Sequence, residues 1–214
     1  PILSIYQAME FIFEKIFVPN KHSFISRKLP LASNARIHSH RNFELNFITS
    51  GSGRRIVGDN ISGFEKGDLV LLGPNLPHCW EALDFEKGND PFCIVTHFSE
   101  DIINSDFFKM PELEQVVDLL KQSNTGLRFK LNNDSHIRQS LEKMTQLEGL
   151  EYYIEMLKIF NFLLQVDERE NLSNPNNSSA VFSKNLDKIN KVYEYVFQNI
   201  QEGDKLEEAA AVLN

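Results

Sequence analysis

Apolar residues from Phe43 to Phe98 fall into short runs: Phe43 to Thr49, Arg54 to Val57, Asp68 to Leu72, and Phe92 to Phe98. Between them stand Gly51, Gly53, Gly58, Gly63, Gly67 and Gly73, with Pro74 and Pro77. Runs this short, bounded by residues that turn easily or cannot donate to a ladder, predict strands in an all-β meander closing into a sandwich or barrel. Ser23 to Leu29 predicts another strand from its β-branched and aromatic content, ended by Pro30. Residues 1–18 interleave apolar and charged positions without a decisive period, and no element is assigned there.

The period changes after Phe98. Leu113, Val116, Val117 and Leu120 share one face of a helix predicted over Pro111 to Gln122, with the proline in its first turn. Gly126 to Leu131 reads as a brief strand. Asp134 then reads as the N-cap of a helix to about Leu147, and Gly149 separates it from one ending near Val166. In that second helix Leu150, Ile154, Leu157, Phe160, Asn161 and Leu164 repeat every three or four residues, and Tyr153 and Phe162 widen the apolar face. Such a face packs against the barrel or against a second copy of the chain. Asn171 to Ser179 predicts a loop, and a helix follows from about Leu186 with Ile189, Val192, Val196, Phe197 and Ile200 on one side. Asp204 and Glu207 form a capping box for a last helix reaching Asn214, which reads as the opening of a further unit. The expectation is an α+β chain: a β-barrel with a flanking helix over 1–132, a helical region over 133–200, and the start of another domain over 201–214.

Composition narrows the class. The 214 residues are 42% hydrophobic and 24% charged, as in ordinary globular proteins, and seventeen phenylalanines against one tryptophan predict a core of bulky flat side chains. A net charge of -8 opposes contact between these residues and a nucleic-acid backbone. Cys79 and Cys93 fit neither a disulfide framework nor a Cys-x-x-Cys motif, so a reducing cytoplasm is expected. No apolar run is long enough to predict a membrane helix, and the first residues lack the order of a signal peptide.

The chemistry concentrates in His38-Ser-His40-Arg-Asn-Phe-Glu44 and in Gly67 to His78. Two residues apart, His38 and His40 would share one face of a strand, with Glu44 in the same parity, and a returning strand could bring His78 opposite. Three imidazole nitrogens and one carboxylate suit zinc, iron, manganese or nickel. The same groups could instead hydrogen-bond one another or water. Trp80 and His97 are candidates to line the same interior, against ordinary packing.

These two stretches resemble the paired motifs of the cupin superfamily, matched at His38, His40, Glu44, Gly51, Gly67 and His78, with Ala82 where the second motif has asparagine. Gly51 to Asp59 and Gly67 to Trp80 are further similar to the sensor domain of AraC-type bacterial transcription regulators. Leu206 to Asn214 resembles the first helix of that family's first helix-turn-helix. The resemblance implies a cupin-type barrel, a small-molecule effector such as a sugar, homodimerisation, and DNA contact through a C-terminal domain lying beyond most of these residues. It points to Trp80, His97, His38 and His78 for the effector. Leu150, Ile154, Leu157, Phe160 and Leu164 are the candidates for the dimer. A complete His38, His40, Glu44 and His78 quartet exceeds what the regulator resemblance implies: either a metal is kept to hold the effector, or the residues are inherited scaffold. A metal-dependent cupin enzyme of dioxygenase or isomerase type is the alternative, and a passive carbohydrate-binding module a third reading.

Overall fold

The computed structural model describes residues 12–16, 23–83, 90–132 and 135–174. Among the described residues, eleven strands form two sheets. The first contains β1 (Ile12–Phe13), β3 (His38–Ser39), β8 (His78–Ala82), β5 (Gly53–Val57) and β6 (Asn60–Phe64), neighbours in that order. The second runs β11 (Arg169–Asn171), β10 (Leu127–Phe129), β7 (Leu69–Leu72), β4 (Asn42–Ser50), β9 (Phe92–Ser99) and β2 (Phe24–Pro30). Pairing is antiparallel except for β1 on β3.

The expected meander is corrected. β5 and β6 form a hairpin, but from β4 to β9 the chain otherwise crosses repeatedly between the sheets. The reason is burial: each sheet has an apolar inner face that only the other can cover. Val57, Phe64, Trp80 and Ala82 of the first sheet form one cluster with Ile48, Val70, Leu72, Cys93 and Val95 of the second. The barrel is therefore two open sheets laid face to face. His78–Ala82 and Asn60–Phe64, not among the expected strands, complete the first sheet.

The central strands β4, β7 and β9 of the second sheet are buried on both faces, which explains their near-continuous apolar runs. Alternate residues Phe43, Leu45, Phe47, Leu69, Leu71, Ile94 and Phe98 turn outward into a second cluster. There they meet helices α1 (Glu114–Gln122), α2 (Ser135–Met144) and α3 (Gly149–Gln165). Val116, Leu120, Ile137, Leu141, Met156 and Phe160 are the helical half of this core. Gly149 takes φ +58°, the left-handed value that lets the chain turn between α2 and α3. Helices on both sides of residue 132 thus pack on the same sheet.

Some details differ from expectation. The first turn of the Pro111 helix is a 3-10 turn leading into α1, and Asn171 ends β11 where a loop was expected. The Asp134 cap, the helix from Leu186 and the segment over 201–214 lie outside the described residues. Among the described residues, no helix is long and apolar enough to cross a membrane.

Candidate metal centre

Two cross-strand pairs face each other across the gap between the sheets. On the first sheet His38 of β3 lies opposite His78 of β8, their rings 4.3 Å apart. On the second, Glu44 of β4 lies opposite His97 of β9. His40 occupies the short crossover between β3 and β4. The expectation of one strand face carrying His38, His40 and Glu44 is corrected: the chain changes sheet at His40 and Arg41, and the residues converge from two walls.

The ligand atoms available on His38, His40, Glu44 and His78 all lie within 4.8 Å of one another. Glu44 Oε2 is 3.0 Å from His40 Nε2, 3.0 Å from His97 Nε2 and 3.4 Å from His78 Nε2. Its other oxygen accepts from Asn46 Nδ2 at 3.0 Å. Glu44, His40, His78 and His97 are buried, whereas the His38 side chain is 27% exposed, so the cluster opens to solvent on that side. There Glu14 Oε2, on the segment following β1, stands 3.6 Å from His38 Nε2.

The far nitrogens of the rings decide the chemistry. His38 Nδ1 lies 3.1 Å from the carbonyl of Arg36, His40 Nδ1 3.0 Å from that of Asn42, and His78 Nδ1 2.7 Å from that of Leu76. A carbonyl only accepts, so each Nδ1 carries a proton, and Nε2 is the nitrogen left to bind a proton or a metal ion. Lone pairs held around a carboxylate oxygen repel it unless a proton or a metal ion lies between them. His78 Nε2 is buried without a hydrogen-bond partner, which in a folded interior marks a group awaiting one. A divalent cation meets all four donors at once, and carbonyl-anchored imidazoles are the usual outer support of such ligands. These residues can hold a metal ion.

The electrostatics agree. Burial alone would raise the Glu44 carboxyl, but the neighbouring His78 first, then the side-chain contacts of His40, His78 and His97, hold it well below the ordinary carboxylate range. His38 is lowered by burial first and by His78 second, which favours the neutral, ligating ring.

Trp80, two residues along β8 from His78, places its ring edge-on to that histidine at 5.8 Å. Its Nε1 is buried without a partner, a spare donor beside the cluster. His97 is engaged with Glu44, which makes it a positioning residue for that carboxylate. Glu14 and Asn46 were not among the sequence candidates. Asn46 follows Glu44 at the same strand parity and was legible in principle; Glu14 arrives through the pairing of β1 on β3, which no local pattern announces. On α3, Leu150 and Ile154 are exposed, Leu157 and Leu164 are half-buried, and Phe160 is fully buried against Phe98 and Phe108. Phe160 therefore belongs to the core, and is removed from the candidate dimer face.

No protein-family profile matches the sequence, and no curated protein matches it. Among solved structures the AraC-like transcriptional activator CuxR is similar at a TM-score of 0.51 and 10% identity, over 91% of this chain and 67% of that one. ToxT from Vibrio cholerae matches at 0.48 and 17%, over 90% and 71%. A cupin from Shewanella frigidimarina matches at 0.32 and 16%, over 39% and 73%. The fold is thus α+β, and its likeness to CuxR spans nearly the whole chain, barrel and helices alike.

Proposed function

We propose that this chain is the effector-sensing and dimerising part of a ligand-responsive, DNA-binding transcription regulator, with a divalent metal at His38, His40, Glu44 and His78 as the seat of the effector. The observation that carries it is the trio of carbonyl-anchored histidines around Glu44, inside a barrel whose outer face bears a helical layer. The fold shared with an AraC-like activator supports the same reading, as does the resemblance of Leu206 to Asn214 to a helix-turn-helix opening. Zinc, nickel, iron and manganese all suit three imidazoles and a carboxylate. When bound, the metal supplies open coordination positions for an oxygen-bearing small molecule, a sugar among them. His38 borders the entrance, and Trp80 offers an N–H to the same guest. Leu150, Ile154, Leu157 and Leu164 would meet a second copy of the chain. A cytoplasmic location follows from the regulator reading.

The ligand set also suits a metal-dependent cupin enzyme of dioxygenase or isomerase type. The deciding experiment uses the full-length gene product: elemental analysis after purification and zinc or nickel loading, then DNA retardation with and without the metal. One equivalent of metal with metal-sensitive, sequence-specific DNA binding is expected. Metal binding with no DNA binding under any loading would favour the enzyme, and no metal binding would remove the metal from the proposal.

A further inference from the structure

After α3 the chain turns back and straps one end of the barrel. β11 pairs with β10, Leu172 N–H donates to the Gly126 carbonyl at 2.8 Å, and Ser173 N–H to that of Thr125 at 2.8 Å. Asp59 Oδ1 then accepts from Ser173 Oγ at 2.9 Å and from the Asn174 N–H at 3.0 Å. Two glycines make room. At Gly58, φ +53°, an added Cβ would stand 2.3 Å from Ser173 Oγ; at Gly126, φ +72°, it would stand 2.5 Å from Val57 Cγ1.

The strap reaches toward the metal centre by one path and into the barrel's inner face by another. One is apolar: Leu172 is buried in the interior cluster that also holds Trp80, and Trp80 contacts His78. The other is ionic. Arg55, buried on the inner face opposite Trp80, pairs with Asp68. The second oxygen of Asp68 accepts from Arg128 Nε at 2.7 Å, and Arg128 Nη1 reaches Glu170 Oε2 on β11 at 3.5 Å. A closely packed interior passes a displacement on, because its side chains have few alternative arrangements.

We infer that residues 169–174 are a latch whose seating is coupled to occupancy of the His and Glu centre, passing the barrel's state to the residues that follow Asn174. The inference rests on the metal reading above. A metal ion fixes the His78 ring, the ring stands against Trp80, and Trp80 shares with Leu172 the interior cluster in which the latch is anchored. Coupling of this kind is reciprocal: whatever factor the metal adds to latch seating, the latch adds to metal affinity.

Hydrogen exchange on the full chain, with Zn²⁺ and with chelator, tests the first half. The amides of Leu172 and Ser173 should slow by about 5-fold or more with zinc, beyond any change in α2. The second half is zinc affinity by chelator competition, where Glu170→Gln and Leu172→Ala should each bind about 5-fold or more weakly than wild type. Glu170 is exposed, so Glu170→Gln keeps the test alive if Leu172→Ala does not fold. Zinc bound with unchanged exchange at both amides, or at wild-type affinity by both variants, overturns the latch and leaves the metal centre standing. Failure of wild type to bind zinc overturns the metal centre, and the latch with it.

Discussion

His40, His78 and His97 all turn Nε2 toward Glu44, and a backbone carbonyl holds the far nitrogen of His40 and of His78, the two placed among the ligands. His78 directs at the centre an Nε2 that stands 3.4 Å from Glu44, while its Nδ1 is tied to Leu76. His97 spends its Nε2 on Glu44. The two should therefore fail differently. His97→Leu is expected to weaken metal binding by about 10- to 100-fold, the usual cost of losing an outer partner, while His78→Ala, which removes a donor outright, costs more. Chelator competition measures both, and equal losses would contradict the division of roles.

At the scale of one element, α3 has two apolar faces with different employment. Tyr152, Met156, Ile159, Phe160 and Leu163 face the outer side of the second sheet. Leu150 and Ile154, at 74% and 45% exposure, lie on a second stripe continued by the half-buried Leu157 and Leu164. Substitution separates them. Phe160→Ala should destabilise the fold by about 3–5 kcal/mol, the cost of emptying a packed aromatic site, seen as a lowered urea midpoint. Ile154→Glu should leave that midpoint nearly unchanged and shift sedimentation from dimer toward monomer. A wild-type monomer at all concentrations would remove the dimer from the proposal.

The whole molecule carries a pH signature from its two thiols. Burial first, then the nearby Glu81, raises Cys79 from 9.0 to about 11; burial first, then Glu44, raises Cys93 from 9.0 to about 12. Above pH 9 the unfolded chain loses protons that the folded chain keeps, so stability is complete below that pH and is lost as pH rises through 11 and 12. Urea unfolding at about pH 8 and about pH 10.5 should show the drop, and replacing both cysteines by alanine should flatten it. An unchanged slope in that variant would assign the alkaline loss to other groups.

The sequence by itself determined the element types and the chemistry of the centre. Glycine and proline punctuation marked the barrel, three- and four-residue spacing marked α1 and α3, and His38, His40, Glu44 and His78 were legible because metal-ligating side chains are few and their spacing is local. Only the tertiary structure decided how they meet. Local pattern reports a strand's faces but not its partner, so the crossing of the chain between sheets at His40, the pairing of His97 with Glu44 and the return of Leu172 into the barrel were beyond it. Phe160 and Ile154 make the same point: one periodic stripe contained both, and it was the fit of α3 against the second sheet that buried the first and left the second in water.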